Sequence, residues 1–223
     1  MDGRDPDFAK RREKMRMLLS KSGNSPHADE DRRMYRKIVA VWQDAVKNGD
    51  PAAETSLGWL FWGEANRKMA ILNFVSKSDP DTDPMYHPQY LAHDKDSLLL
   101  LSAFKWACGR ALELFRASDQ QDWPDASMAQ AVIYAYPPPL PPLLAETGCM
   151  FANPLIRDRM TQRSANLGSA DGIFALVQVF RKQHDDINGD RWQSKLEQRG
   201  RDGDRKALQI LAHEDALLNA RSK

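Results

Sequence analysis

The sequence predicts an all-α protein made of antiparallel helix pairs, and three observations support this fold class. Apolar residues recur at the three- and four-residue spacing of helices along most of the 223 residues. Helix-ending sequences, of which Asn48-Gly49-Asp50-Pro51 is the clearest, separate these periodic segments. A strand-like pattern is confined to residues 131–136. We therefore expect neighbouring helices that pack on one another as antiparallel pairs.

Composition and charge narrow the class of protein further. Six Trp and eight Phe are typical of a folded chain rather than a disordered one. The 32 basic and 31 acidic residues nearly cancel, so no global field attracts nucleic acid or an anionic membrane. No segment has the length and apolar character of a membrane span, and the N-terminus lacks the apolar core of a signal peptide. These features predict a cytoplasmic protein, or a periplasmic one if a signal peptide has been removed.

The two cysteines, Cys108 and Cys149, are far apart in the sequence and form no C-x-x-C motif. This usage favours a reducing compartment and excludes a zinc site built on cysteines. A single disulfide between them is the less favoured alternative.

Residues 1–28 are predicted to form a charged helix and a linker, separate from a single helical domain over residues 29–223. The basic cluster Lys10-Arg11-Arg12 on this helix is more typical of a solvated face than of a nucleic-acid site. A regulator that used the helix on nucleic acid would bind with a strong salt dependence.

The first helix pair of the domain is predicted on either side of Gly49. Apolar spacing indicates a helix over 29–47, followed by a glycine, an N-cap and a proline at the first helical position. The next helix is expected over 52–62, where Gly63 ends it, and a return helix over 67–76.

The middle of the chain alternates helices with proline-containing segments. Residues 79–88 predict a rigid polar insertion, and residues 97–117 predict the strongest helix, with a broad apolar face. A shorter helix is expected over 125–134. The prolines after Tyr136 fix polyproline geometry, so residues 136–142 are expected to be extended.

The pattern around Gly49 recurs late in the chain. Gly203-Asp204 echoes Gly49-Asp50, and each is preceded by a Trp-Gln pair. A related small-residue segment covers 165–180. Stacked helix pairs bury a core that one pair cannot bury alone, with a repeat period of about 34 to 40 residues.

These segments resemble a known helical repeat. Ala53-x-x-x-Leu57-Gly58-x-Leu60-Phe61-x-Gly63 is similar to the first helix of the Sel1-like repeat, a relative of the tetratricopeptide helix pair. The resemblance covers 45–74, 163–180 and 192–212, and it implies a Sel1/TPR-like α-solenoid. The family's G-x-G-V-x-x-D loop is missing after Gly63, which leaves the repeat register open. A generic helical bundle is the alternative.

The resemblance also implies a function in protein–protein scaffolding. Bacterial Sel1-like proteins often serve secretion systems, and several are immunity proteins that bind and block a toxin. We therefore expect a protein partner, such as a toxin or effector, and neither catalysis nor a cofactor. Exposed aromatic residues are the usual anchors of such surfaces, and core packing is the alternative role for each. The candidates are Trp59, Trp62, Tyr86 and Trp123.

Two sets of residues resemble metal-binding motifs, but neither has all the features that such a site needs. Residues 186–197 place oxygen ligands as a calcium loop does, but Arg191 stands where the loop needs glycine. His87 and His93 lack the spacing and the third ligand of a zinc site. No catalytic, metal or cofactor residue is therefore predicted. An enzyme or effector with its active site in residues 79–160 is the alternative to a scaffold.

Overall fold

The computed structural model describes residues 28–76, 95–135 and 153–221, and all regular secondary structure in these ranges is helical. The predicted all-α class is therefore confirmed. The predicted helices over 29–47, 97–117 and 125–134 are all present, with ends that move by one or two residues. The helices of the described ranges are α1 (Ala28–Lys47), α2 (Pro51–Ser76), α3 (Lys95–Asp119), α4 (Pro124–Ala135), α5 (Pro154–Asn166), α6 (Ala170–Lys182), α7 (Asp186–Arg201) and α8 (Arg205–Arg221).

Some of the predictions lie outside the described residues. These are the N-terminal charged helix, the polar insertion with Tyr86, and the extended segment over 136–142.

The described residues belong to two compact units. The first unit comprises residues 28–76 and 95–114, and the second comprises residues 115–135 and 153–221. A single domain over 29–223 stays a prediction.

Five helix junctions share one backbone geometry. A residue with positive φ follows each helix, and the next amide donates to the carbonyl five residues back, as in a Schellman motif. Asp50 N lies 3.2 Å from Ala45 O, and Asp204 N lies 3.0 Å from Arg199 O. The positive-φ residues are Gly49, Asp122, Gly168, His184 and Gly203.

The echo between Gly49-Asp50 and Gly203-Asp204 corresponds to matching caps. Asp50 Oδ1 accepts from the amides of Ala52 (2.9 Å) and Ala53 (3.1 Å). Asp204 Oδ1 accepts in the same way from Lys206 (2.9 Å) and Ala207 (3.2 Å). Each carboxylate satisfies amides that the first helical turn leaves without an internal partner. The shared Gly-Asp sequence therefore specifies the same tight helix–helix turn at both places.

The predicted break at Gly63 is wrong, because α2 continues from Pro51 to Ser76. Gly63 does not adopt a positive φ, so its backbone continues the helix. The residues after it are good helix formers, and Glu64 pairs with both Lys68 (2.8 Å) and Arg67 across a turn. The predicted return helix over 67–76 is therefore the second half of α2, and α1 packs against α2 as the pair predicted on either side of Gly49.

The second unit is a stack of helices. Consecutive helices from α4 to α8 pack on one another, and α6 also contacts α4 and α8. Contacts between nearest and next-nearest helices are typical of helical-repeat folds. The core of α5 to α8 consists of Ala165, Ala170, Ile173, Leu176, Val177, Trp192, Leu196 and Ala207.

Within this unit, Arg163 on α5 contacts the α3–α4 junction. Its guanidinium donates to Asp119 Oδ1 (2.9 Å), to the Asp119 carbonyl (3.0 Å) and to Asp122 Oδ1 (2.7 Å). The Asp119 carbonyl lies in the last turn of α3, where helix carbonyls lack internal donors. One side chain therefore both closes a helix end and links two helices.

The first unit has its own core around the middle of α3. Its buried apolar side chains come from α2 and α3, and Phe104 and Ala111 are fully enclosed. Cys108 is also fully buried and is disulfide-bonded. The less favoured alternative for the cysteines therefore holds for Cys108, because sequence spacing carries no information on which thiols meet. Cys149, the other cysteine of the chain, lies outside the described residues.

Candidate partner-binding surface

The structure places the predicted anchors in different surroundings. Trp62 is only 4% exposed and belongs to the core of the first unit, whereas Trp59 on the same helix is 39% exposed. Trp123 is half-buried in the second unit, directly after Asp122. Tyr86 lies outside the described residues. Trp62 is therefore not a surface anchor, and the more exposed Trp59 and Trp123 belong to different units.

The most exposed tryptophan of the described residues was not among the predicted anchors. Trp106 on α3 is 64% exposed, and its ring meets Phe61 of α2 edge to face, with centroids 5.2 Å apart and an interplanar angle of 88°. Trp106 and the exposed Leu99 lie opposite the buried face of α3. The sequence signal that could have identified this surface is a second apolar stripe on α3, on the side opposite its core face.

Trp106 and Phe61 border a cleft of about 450 Å³ in the first unit. The walls come from three helices, and most of the lining is apolar. Clefts of this size hold a drug-sized molecule or a few side chains of a partner. The lining residues are Val39 and Gln43 from α1, Phe61, Glu64 and Lys68 from α2, and Ala103, Trp106 and Ala107 from α3.

The charged part of the cleft is the ion pair between Glu64 and Lys68. Lys68 Nζ lies 2.8 Å from Glu64 Oε2, and Arg67 pairs with the other oxygen of the same carboxylate. Partial burial raises the pKa of Glu64, but the hydrogen bonds and charges of Lys68 and Arg67 outweigh burial and lower this pKa below its usual value. Glu64 is therefore ionised at neutral pH, and within the lining its charge balances that of Lys68.

Trp59 lies away from this cleft. It precedes Phe61 by two residues, which is more than half a turn of helix, so the two side chains project from different sides of α2. Trp59 and Trp106 are therefore both exposed in the first unit, but Trp106 borders the cleft and Trp59 does not.

The segment that mimics a calcium loop is helical. Asp185 caps α7, and its side chain accepts from the Asn188 amide (3.1 Å) and from Asn188 Nδ2 (2.7 Å). These two hydrogen bonds lower the pKa of Asp185. The oxygen-bearing residues of 186–197 follow from that cap along a regular helix, which a calcium loop does not form.

No group of three or more His, Cys, Asp or Glu side chains in the described ranges is placed to hold a metal ion. None of their helices combines the length and apolar character needed to cross a bilayer. In comparisons with known proteins, no family model, curated sequence or solved structure matches the chain.

Proposed function

We propose that this protein is a helical-repeat scaffold that binds a protein partner through the cleft of the first unit. The observation that carries the proposal is Trp106, a largely exposed tryptophan held against Phe61 at the edge of an apolar cleft. Tryptophan is enriched among residues that dominate binding energy, and an aromatic contact fixes its ring before binding. Burying this ring in a partner would remove a large apolar surface from water.

The resemblance to Sel1-like repeats supports a finer proposal. The partner would be a bacterial toxin or effector, and the protein would act as an immunity or adaptor protein that occludes an active site or a docking surface. Such a role needs no chemistry from the chain itself. The repeated helix–turn–helix junctions provide the stable framework that this mode of binding requires.

The disulfide bears on the compartment in which the protein acts. Disulfides are rare in reducing compartments and persist in oxidising ones. Because Cys108 is disulfide-bonded, the alternative of a periplasmic protein is favoured over a cytoplasmic one.

The proposal is tested by co-purification of partners from the source cell with the tagged full chain. The Trp106→Ala variant removes the exposed ring, and Trp59→Ala is the matched control on a different side of α2. We expect one stoichiometric partner with the wild-type chain and with Trp59→Ala, and loss of most of it with Trp106→Ala. Equal recovery with both variants would exclude the cleft as the contact surface, and recovery of no partner would reject the scaffold.

A further inference from the structure

We propose that α8 is the contact between two copies of this chain, in which the two α8 helices pack antiparallel about residue 210 of each. The proposal concerns the second unit alone and is independent of the cleft of the first unit. It follows from the apolar side chains on the outer face of α8, from two charged residues on that face, and from the spacing between them.

The inner face of α8 packs within its own unit. Ala207 is fully buried, and Ile210 packs against the core of α5 to α8. Glu214 accepts hydrogen bonds from Gln178 and Arg181 of α6, each at 3.3 Å. These positions recur every three or four residues, so they define one side of the helix.

The outer face of α8 carries apolar side chains that the described residues leave exposed. Leu208 is 49% exposed, and Ala212 and Ala216 also lie in the exposed class. A terminal helix of a helical-repeat stack normally has a polar outer face, because no further repeat covers it. An apolar outer face with small side chains instead favours close packing against another helix.

Two charged residues flank this apolar surface. Arg205, Leu208, Ala212 and Asp215 follow one another at spacings of three, four and three residues, so they lie on one face of α8. Arg205 and Asp215 are exposed, and neither forms an ion pair with another residue of the described ranges. They are about 15 Å apart along the helix, too far to pair with each other. A second chain can supply the opposite charge to both.

An antiparallel contact centred at residue 210 brings these opposite charges together. Leu208 and Ala212 lie two residues on either side of the centre, and Arg205 and Asp215 lie five residues on either side. Leu208 of one copy therefore faces Ala212 of the other, and Arg205 faces the other copy's Asp215, twice by the two-fold symmetry. A parallel pair would set like charges against each other, which is repulsive. The charges therefore select a second copy in the antiparallel orientation.

Sedimentation equilibrium of the full chain tests the contact over roughly 1–300 µM, a range suited to an interface smaller than the standard size. We expect a concentration-dependent dimer. Ala212→Glu should abolish it, because an unpaired carboxylate would be buried at the centre of the contact.

Charge reversal tests the register of the two helices. Arg205→Glu and Asp215→Arg should each weaken the dimer about tenfold, because two attractive pairs become repulsive. The double variant that carries both reversals should restore the dimer, since the pairs re-form with exchanged charges. Arg205→Glu places an acid in the first turn of α8, where the helix dipole favours it, so loss of the helix does not account for its effect.

Arg159→Glu is the matched control. It makes the same charge reversal at an exposed position of α5, which packs on α4 and α6, and should associate as the wild type does. Circular dichroism of each variant confirms that its helix content is unchanged.

Several outcomes would overturn the inference. These are a monomer at every concentration, equal association of the wild type and Arg205→Glu, or a double variant that does not recover. A dimer that is lost in Trp106→Ala and kept in Ala212→Glu would place the second copy on the first unit instead.

Discussion

Gly172 shows how closely two helices of the second unit approach. A β-carbon at this position would lie 2.6 Å from Ser164 Oγ and 2.7 Å from the Ala165 backbone nitrogen. The backbone of α5 cannot rotate away as the end of a long side chain can, so a methyl group here forces the helices apart. The same position after three other junctions holds a buried alanine, namely Ala53, Ala126 and Ala207.

We expect Gly172→Ala to lower the free energy of unfolding by about 2 kcal/mol through overpacking. Urea denaturation followed by circular dichroism measures the change. Gly109→Ala is the control, because a β-carbon on that helical glycine meets nothing within 4 Å. The control should be neutral or slightly stabilising, since alanine is the better helix former. Equal stability of the two variants would contradict the close approach of α5 and α6.

Asp204 couples stability to pH. Partial burial raises the pKa of Asp204, but the amides of Ala207 and Lys206 and the Arg199 guanidinium outweigh it and lower this pKa below its usual value. A carboxyl whose pKa is lowered in the folded state stabilises the fold above its unfolded pKa, and this contribution is lost as pH falls through the folded pKa.

Asp204→Asn keeps a capping oxygen but removes the ion pair with Arg199, whose Nε lies 2.8 Å from Asp204 Oδ2. We expect a loss of about 1 kcal/mol near pH 7, a modest value because the guanidinium is partly exposed. Near pH 2.5 the difference should be smaller than at neutral pH, because stability from a carboxyl with a lowered pKa is lost progressively as pH falls through that pKa. Urea titrations at the two pH values measure it. A difference that is the same at both would assign the effect to the cap alone.

At the scale of secondary-structure elements, α2 is the helix that the sequence describes least well. Gly63 was expected to end it, yet a β-carbon on Gly63 would meet nothing within 4 Å and the backbone there is helical. Gly63→Ala should therefore stabilise the first unit by about 0.5–1 kcal/mol. Differential scanning calorimetry would record a raised Tm. A lowered Tm would indicate a left-handed glycine and a broken helix.

Some helix junctions could be predicted from the sequence, whereas the cleft and its exposed tryptophan could not. The turns at Gly49 and Gly203 were visible because a glycine and a capping aspartate stand together in the sequence. The junctions at Asp122 and His184 were not, because neither residue is a glycine although both adopt positive φ. The cleft was also missed, since its walls come from three helices and local spacing does not show which helix faces meet. Trp106 was hidden by the stronger core stripe on its own helix.

At the scale of the whole molecule, both units use the same helix–helix junction. In the second unit, Gly203 follows Gly168 at a spacing inside the expected repeat period of about 34 to 40 residues. The first unit has this junction at Gly49, and it also contains the disulfide of Cys108. The core of α5 to α8 contains no cysteine.

Reduction should therefore weaken the first unit specifically. A disulfide removes conformational freedom from the unfolded chain, and its loss typically costs about 2–4 kcal/mol. We expect protein refolded with excess reductant to exchange amide hydrogens faster in α2 and in the first part of α3, around the buried Cys108. Mass spectrometry of peptides from α6 and α7 provides the internal reference. If exchange rose equally in α6 and α7, the disulfide would stabilise the chain as a whole, and unchanged exchange everywhere would mean that it contributes nothing.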